Sequence, residues 1–215
     1  MCREIIEKFI KDKKAIILMI SYIIACLGYE IINNIETKSY NLTIALDYRI
    51  PLIKYFVIPY YAWYLLIFFS FIYIYIKDNE EFYSFVKCMI LTMVTALMIF
   101  VFFQTSVVRP IIIDSDFFSN LIKDIYARDN PINCCPSLHV SITLVCSIWI
   151  NKVSENKYLK GTVFILGILI ILSTLFIKQH VIMDVVVAFI QAFLIKNIVD
   201  ISNELSLERL LVKKE

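Results

Sequence analysis

Six apolar runs constrain the fold of this chain more than any other feature. A bilayer core about 30 Å thick requires about 20 apolar residues in helical form. A transmembrane barrel would show alternating polar and apolar residues instead. The chain is therefore predicted to be an all-α, polytopic membrane protein with six transmembrane helices, forming a single domain over residues 1–215. The six predicted spans are 15–33, 56–76, 84–103, 138–151 (short for a full span), 158–177 and 181–199.

The composition indicates a membrane protein and argues against a soluble domain and a nucleic-acid-binding protein. Hydrophobic residues make up 60% of the chain and the mean hydropathy is +0.77, whereas soluble domains are about 45–50% apolar. The net charge of +2 is too small to indicate a nucleic-acid partner. The basic start, MCREIIEKFIKDKK, precedes a long apolar run without an A-x-A cleavage site, so the first run is interpreted as a retained anchor.

The cysteines show no metal-binding spacing such as C-x2-C, and most lie in or beside apolar runs. Cys134 and Cys135 are adjacent, and adjacent cysteines rarely form a relaxed disulfide with each other. The six cysteines are therefore interpreted as free thiols, and the sequence gives Cys134 and Cys135 no role.

Polar linkers separate the spans, among them KDNEE at 77–81 and NKVSENK at 151–157. The stretch 114–130, DSDFFSNLIKDIYARDN, mixes apolar and charged residues and predicts an amphipathic helix on the membrane surface between the third and fourth spans. The C-terminal NELSLERLLVKKE is predicted to continue the last helix into the cytoplasm.

Basic residues predict the orientation, because cytoplasmic loops carry an excess of Lys and Arg. With six spans and a cytoplasmic N-terminus, 14 of the 21 basic residues lie inside. Both termini are therefore predicted to be cytoplasmic. In this arrangement Arg109, His139 and His180 all fall on the outer, extracytoplasmic side of the cell membrane. The seven basic residues on that side are Lys38, Arg49, Lys54, Arg109, Lys123, Arg128 and Lys178.

Three short stretches in this outer region carry chemistry. The first is QTSVVRP, ending in Arg109 and Pro110. The second is CPSLHVS, with Ser137 and His139, and the third is STLFIKQHVIMD, which contains both His180 and Asp184. His180 and Asp184 are four residues apart, which on a helix places them on one face. A carboxylate in a membrane helix is costly without a partner, and the histidine is the obvious one.

Together these residues form a phosphoryl-transfer set. Asp184 would fix the tautomer of His180 and leave its other ring nitrogen free to attack phosphorus. His139 would protonate the leaving oxygen. Arg109 would grip the phosphoryl group with its planar fork. Ser137 and backbone N–H groups at the start of the fourth helix would hold the remaining oxygens. Ser173 and Lys178 are further candidates for phosphate binding.

Each of these residues also has a structural interpretation. His180 and Asp184 could lock two helices together, and His139 could be an ordinary hydrogen-bonded histidine at a helix end. Arg109 could snorkel at the interface, and Ser137 could cap the fourth helix. Ser173 is of a type ordinary inside membrane helices, and an interfacial Lys178 needs no function.

The three stretches resemble the signature motifs of the type-2 phosphatidic acid phosphatase superfamily, which includes integral-membrane lipid phosphatases and lipid phosphotransferases. Arg109–Pro110 matches the end of its first motif and Pro136 to His139 matches its Pro-Ser-x-His. Ser173, His180 and Asp184 match the spacing of the third. The resemblance covers about residues 102–184 and implies a phosphohistidine mechanism. Its catalytic residues would be His180, His139 and Asp184, with Arg109, Ser137, Ser173 and Lys178 as phosphate ligands.

Two positions depart from that pattern. The first motif usually opens with a lysine where this chain has Phe102, and the third has an arginine where this chain has Thr174. Lys178, Lys123 or Arg128 could supply the missing charge. PSLH and the Ser-Thr pair also resemble the inositolphosphoceramide and sphingomyelin synthase branch.

The resemblance implies a lipid phosphatase acting on a phosphatidic acid-like or isoprenyl phosphate. The alternative enzyme is a phosphotransferase that moves a phospho-head group to an alcohol. A non-catalytic binder or transporter of lipid phosphates is a third possibility. No cofactor is expected, and the lipid phosphate in the bilayer is the expected partner. Two histidines without clustered carboxylates are too few ligands for a two-metal phosphatase, so no metal is expected.

Overall fold

The computed structural model describes the backbone of residues 2–212 and the side chains of residues 3–206. The described chain is a bundle of helices, which confirms the predicted all-α polytopic fold. Two short parallel strands, β1 Tyr40–Asn41 and β2 Thr105–Ser106, pair outside the helices. The α-helices are α1 Cys2–Lys11, α2 Lys13–Ile32, α3 Val57–Lys77, α4 Asn79–Phe102, α5 Phe117–Arg128, α6 Leu138–Val153, α7 Lys157–Phe176 and α8 Ile182–Val212. Two short 3-10 helices, Asp47–Arg49 and Lys54–Phe56, precede α3.

Five helices within the described residues are long and apolar enough to cross a membrane: α2, α3, α4, α7 and α8. Helix α6 has 16 residues, which at 1.5 Å per residue is about 24 Å, less than a typical bilayer core. The number of complete spans therefore stays a prediction. The basic start of the chain forms a separate helix, α1, which the sequence did not indicate. Lys213 and Lys214, which contribute to the predicted orientation, lie outside the described residues.

The predicted polar linkers supply side chains that cap the first turns of the helices that follow them. Asp78 lies in the linker between α3 and α4, and its carboxylate accepts the backbone N–H of Glu81. Asn156 lies between α6 and α7, and its side chain accepts the N–H groups of Tyr158 and Leu159. Such caps satisfy amides that have no partner inside the helix. The short linkers place consecutive helices side by side in opposite directions.

Polar side chains join three helices inside the bundle. The Gln191 amide on α8 donates to the carbonyl of Thr92 at 3.1 Å and to the hydroxyl of Thr95 at 2.9 Å, both on α4. Its oxygen accepts the hydroxyl of Ser141 on α6 at 2.7 Å. Because lipid tails pack on helices as well as leucine does, such hydrogen bonds help to hold membrane helices together.

Three helix C-termini and three helix N-termini meet at one end of the bundle. The C-terminal ends of α2, α4 and α7 lie there beside the N-terminal ends of α3, α6 and α8. The segment that joins α5 to α6 ties these ends together, because its amides reach the other loops. The hydrogen bonds are Asn130 to the Asn33 carbonyl, Asn133 to the Ile32 carbonyl, Gln104 to the Asn133 side chain and Ser137 N–H to the Asp184 carbonyl.

Helix α5 is the amphipathic helix predicted within 114–130, and it packs over this end of the bundle. Ile122 and Ile125 on its buried face contact Val57 and Tyr60 of α3. Asp116 caps its first turn by accepting the N–H groups of Phe118 and Ser119. The helix therefore covers the region where the helix ends meet.

Candidate active site

His180 and Asp184 are in direct contact. His180 precedes α8, and Asp184 lies in its first turn, so the two residues are not on one continuous helix as the spacing suggested. The His180 Nδ1 atom lies 3.2 Å from Asp184 Oδ2. The same oxygen accepts the N–H of Val181 at 3.0 Å, which fixes the carboxylate against the turn. A carboxylate bonded to Nδ1 sets the ring orientation and leaves Nε2 directed away from it.

His139 lies in the first turn of α6, opposite His180. The two rings have their centroids 6.0 Å apart. The His139 ring packs against Tyr60 at 4.3 Å and Trp63 at 4.2 Å, both on α3. Its Nε2 atom is buried and has no hydrogen-bond partner among the described residues. The aromatic contacts fix the ring while one ring nitrogen stays free for a substrate atom.

Ser137 caps α6. Its hydroxyl oxygen accepts the N–H of Val140 at 3.4 Å, and its own N–H donates to the main-chain carbonyl of Asp184 at 3.2 Å. This second bond ties the N-terminus of α6 to that of α8. His139 follows Ser137 by two residues, and Asp184, which accepts this bond, also holds His180. The bond therefore also sets the spacing of the two histidines.

Arg109 lies on the loop after β2, and its side chain is only 8% exposed. One terminal nitrogen donates to the Asp129 carbonyl at 2.6 Å, and the other donates to the side-chain oxygen of Gln179. The guanidinium stacks over the Tyr126 ring at 4.7 Å. The carboxylate of Asp129 lies 3.8 Å away. Arg109 is therefore a buried cation held in a fixed orientation, not a side chain snorkelling to the interface.

Gln179 is a site residue that the sequence reasoning missed. It is 2% exposed, and it directly precedes His180. Its oxygen accepts from Arg109, while its Nε2 amide is buried without a partner among the described residues. A buried amide without a hydrogen-bond partner destabilises a protein, so such a group indicates a place where a bound ligand accepts the hydrogen bond. The only sequence signal was its position, directly before His180 in the third stretch.

A cavity of about 880 Å³ connects these groups. His139, His180, Arg109 and Gln179 all line it. Aromatic side chains form much of the remaining wall, and two carboxylates also face it. The aromatic residues are Tyr22, Tyr29, Tyr60, Tyr61, Trp63 and Tyr64, and the carboxylates are those of Glu30 and Asp129.

Three predicted phosphate ligands are placed elsewhere. Lys178 is not part of the cavity wall: its amine donates to the carbonyls of Asp47 and Ile50, and burial lowers its pKa. The hydroxyl of Ser173 donates to the Ile170 carbonyl at 2.6 Å inside α7. Ser137 is fully buried as the cap described above. The structure brings His139, His180, Asp184 and Arg109 together, but it does not bring these three hydroxyl or amine groups to the cavity.

The two departures from the motif pattern also have a structural meaning. Phe102, at the end of α4, is 83% exposed and lies outside the cavity wall. Thr174 is buried, and its main-chain carbonyl accepts the N–H of His180 at 3.1 Å. Of the three candidates to replace the missing charge, only Arg128 lines the cavity, and its Nε bonds to Asp124 at 3.0 Å. Lys123 donates to the carbonyl of Asp114 instead.

Asp47 is a second residue that the sequence reasoning missed. It is 6% exposed in the loop before α3. One carboxylate oxygen accepts the N–H of Ile182 at the start of α8, and the other accepts the N–H of Ile44. Asp47 therefore fixes the N-terminus of the helix that carries Asp184.

The fold and the site define an α-helical, multi-pass membrane protein with two histidines, a carboxylate and a buried arginine at one end of the bundle. The family model of the PAP2 superfamily matches residues 44–197, more than half of the chain. The chain belongs to the PAP2 superfamily, a membership that supports a phosphatase-type enzyme. It confirms the predicted resemblance to the superfamily, while the resemblance to the sphingomyelin synthase branch stays a prediction. Comparisons with curated proteins and with solved structures gave no match.

Proposed function

We propose that this protein is a membrane lipid phosphatase that works through a phosphohistidine intermediate without a metal. The observation that carries the proposal is the pair of facing imidazoles, with centroids 6.0 Å apart, across a cavity that also exposes Arg109. Reacting atoms approach to roughly 3–3.5 Å before bond formation. A spacing of this size supports the proposal, because it allows one phosphoryl group between the rings to reach both of them.

In the first step Nε2 of His180 attacks phosphorus, forming an N–P bond and breaking the P–O bond to the lipid. His139, as the acid, gives its proton to the departing oxygen. Asp184 stabilises the cationic ring of His180. In the second step His139 takes a proton from water as the water oxygen attacks phosphorus. The N–P bond breaks, and inorganic phosphate leaves.

Arg109 and Gln179 are proposed to bind the phosphoryl oxygens. Arg109 supplies the buried positive charge, and the unpaired Nε2 of Gln179 supplies a neutral donor beside it. Donors already fixed in position stabilise developing negative charge without reorganising. In this proposal Gln179 supplies part of what the missing basic residues at Phe102 and Thr174 would have supplied, while Ser137, Ser173 and Lys178 support the loops around the site.

A phosphotransferase is the second candidate, in which an alcohol replaces water. The volume of about 880 Å³ and the aromatic wall support it, because they leave room for an acceptor beside the phosphoryl group. We further propose that the site faces the extracytoplasmic side and that both termini are cytoplasmic, on the basis of the Lys and Arg distribution.

The test is product analysis with purified protein and a lipid phosphate, with and without an acceptor alcohol. Release of inorganic phosphate supports the phosphatase, and a new phosphodiester supports the phosphotransferase. Activity should survive EDTA, and vanadate should inhibit. Loss of activity in EDTA that magnesium restores would contradict the metal-free route. Binding without turnover of any lipid phosphate would support a non-catalytic binder instead.

A further inference from the structure

A second set of donor atoms overlaps the proposed nucleophile. The sulfur of Cys134, a ring nitrogen of His180 and a carboxylate oxygen of Asp184 all lie within 4.8 Å of one another. Cys134 is 4% exposed and Asp184 is 1% exposed. The cysteine is held there because its backbone N–H donates to the Thr105 hydroxyl at 3.0 Å. The sequence spacing gave no sign of this cluster, since the cysteine lies 46 residues before the histidine.

These three donors are the types that zinc binds. Thiolate, imidazole and carboxylate ligands bind Zn²⁺ at roughly 2.0–2.3 Å, and a tetrahedral site then separates its ligands by roughly 3.3–3.8 Å. Closing the present cluster around an ion therefore requires side-chain movements on the order of 1 Å. A fourth position, open to water, is usual in sites with three protein ligands.

Two independent observations point to a ligand at this place. The Oδ1 atom of Asp184 is buried and has no hydrogen-bond partner among the described residues. Both Cys134 and His180 line the cavity, so an ion has a route to them. The neighbouring Cys135 is also buried but belongs neither to the cavity wall nor to the donor cluster.

We propose that Cys134, His180 and Asp184 form a binding site for a thiophilic divalent cation such as Zn²⁺, and that the bound ion inhibits the enzyme. Coordination replaces the thiol proton, which leaves to solvent. If the ion binds Nε2 of His180, the nucleophile is blocked. If it binds Nδ1, the hydrogen bond to Asp184 is broken and the ring proton moves to Nε2, which then has no lone pair for phosphorus. Either geometry stops attack on phosphorus, so the inhibitory part rests on the proposed function while the binding part does not.

The donor set also predicts selectivity. Mg²⁺ and Ca²⁺ prefer all-oxygen ligands, whereas sulfur and imidazole favour zinc, cadmium and cobalt. Mg²⁺ should therefore neither bind this cluster nor inhibit through it.

Binding is tested by titrating purified protein with Co²⁺ and recording the sulfur-to-cobalt charge-transfer absorption. Wild type, Cys135→Ser and Cys26→Ser should show the band. Cys134→Ser should lose it and bind at least about tenfold more weakly, because loss of even an outer-shell partner costs 10- to 100-fold. Cys26 is a matched control, since it also lines the cavity. A band that persists unchanged in Cys134→Ser would overturn the site.

Wild-type protein provides a test that does not depend on the folding of a variant. Zn²⁺, but not Mg²⁺, should protect Cys134 from alkylation by a small thiol reagent, as read by mass spectrometry of the peptide. Unchanged alkylation of Cys134 at saturating Zn²⁺ would also overturn the site.

Inhibition is measured separately, with each variant compared with its own metal-free activity. Zn²⁺ should inhibit wild type and Cys135→Ser, with full recovery in EDTA, and Cys134→Ser should resist at least about tenfold more Zn²⁺. Cobalt binding without phosphatase activity in any variant would count against the proposed function and leave the metal site intact. Cobalt binding without inhibition of an active enzyme would overturn the inhibitory role.

Discussion

The guanidinium of Arg109 donates a hydrogen bond to the side-chain oxygen of Gln179, the residue immediately before His180. This bond joins the QTSVVRP stretch, which contains Arg109, to the STLFIKQHVIMD stretch, which contains Gln179, 70 residues later in the chain. It orients the Gln179 amide so that its Nε2 is left without a partner in the described structure. The arginine and the glutamine thus form one unit beside the histidine proposed as nucleophile.

Two substitutions separate the two roles of Gln179. Gln179→Leu removes both the acceptor for Arg109 and the free amide donor, and we expect kcat to fall about 10²-fold, the scale for losing one fixed donor. Gln179→Glu keeps an acceptor for Arg109 but replaces the donor with a negative charge, so a loss at least as large is expected. The measurement is kcat and KM for one lipid phosphate. Wild-type kinetics in Gln179→Glu would show that the amide does not contact phosphate.

The His180→Ala and His139→Ala variants should differ in whether a suitable substrate restores formation of the phosphoenzyme. His180→Ala should give no covalent phosphoenzyme with any substrate. His139→Ala should still form the intermediate from a substrate whose leaving group needs no protonation. Trapping of acid-labile phosphohistidine after rapid quench distinguishes them. A labelled His180→Ala enzyme and an unlabelled His139→Ala enzyme would show that the roles are reversed.

Asp184→Asn should keep the turn, since an amide oxygen can still accept the Val181 N–H, but it removes the charge beside His180. We expect a large drop in kcat; a comparable change in a serine-protease triad cost about 10⁴-fold, and that value sets the scale only. The control is the melting temperature of the variant, which should stay close to wild type. A near wild-type kcat would mean that Asp184 only holds the loop.

The stability of helix α5 should depend on the ionised form of the Asp116 carboxyl group. The side-chain hydrogen bond from Lys54, at 2.6 Å, holds the pKa of this carboxyl well below its ordinary value of 3.8. A depressed pKa in the folded state means that the stabilisation is complete above pH 3.8 and is lost as pH falls through the lowered pKa. The protection factors of the α5 amides, which are exchange rates corrected for the intrinsic effect of pH, should therefore be constant at neutral and mildly acidic pH.

Asp116→Asn provides the matched comparison, because it keeps the cap and removes the charge. It should raise exchange in the first turn of α5 at pH 7 and abolish the acid dependence. Acid-dependent exchange that persists in this variant would assign the effect to another group.

The bonds of Gln191 should stabilise the bundle rather than the chemistry. Gln191→Leu removes the hydrogen bonds that join α8 to α4 and α6, and we expect a loss of about 1 kcal/mol, since single bonds of this kind average about 0.6. Thermal unfolding in detergent measures it. Ile190→Leu is the control, because Ile190 is 53% exposed on the outer face of the bundle. Equal stability of both variants would contradict the prediction.

The orientation can be tested with two cysteines at exposed positions. Ala127 lies in α5 near the site, and Glu155 lies in the turn between α6 and α7, at the opposite end of α6. Ala127→Cys should react with an impermeant thiol reagent in intact cells, and Glu155→Cys should react only after permeabilisation. The reverse pattern would place the site on the cytoplasmic side.

The sequence alone determined the all-α membrane class, because continuous apolar runs allow few other solutions in lipid. It also indicated the polar breaks around Asp78 and Asn156 and the amphipathic helix within 114–130, since such patterns need only nearby residues. Motif order was enough to single out His139, His180, Asp184 and Arg109 as candidates, because each motif is a short contiguous string.

Tertiary structure decided which of these groups meet. Ser173 lies at a motif position and Lys178 lies within the same stretch, yet the Ser173 hydroxyl binds within its own helix and the Lys178 amine binds the carbonyls of the 47–50 turn. The spacing of Gln179 and Cys134 in the sequence did not indicate that they belong to the site. Their contacts with Arg109 and with His180 and Asp184 form only when loops from distant parts of the chain pack together. A side chain's donors and acceptors are available to a substrate only if the surrounding fold leaves them unpaired, and local sequence does not specify that pairing.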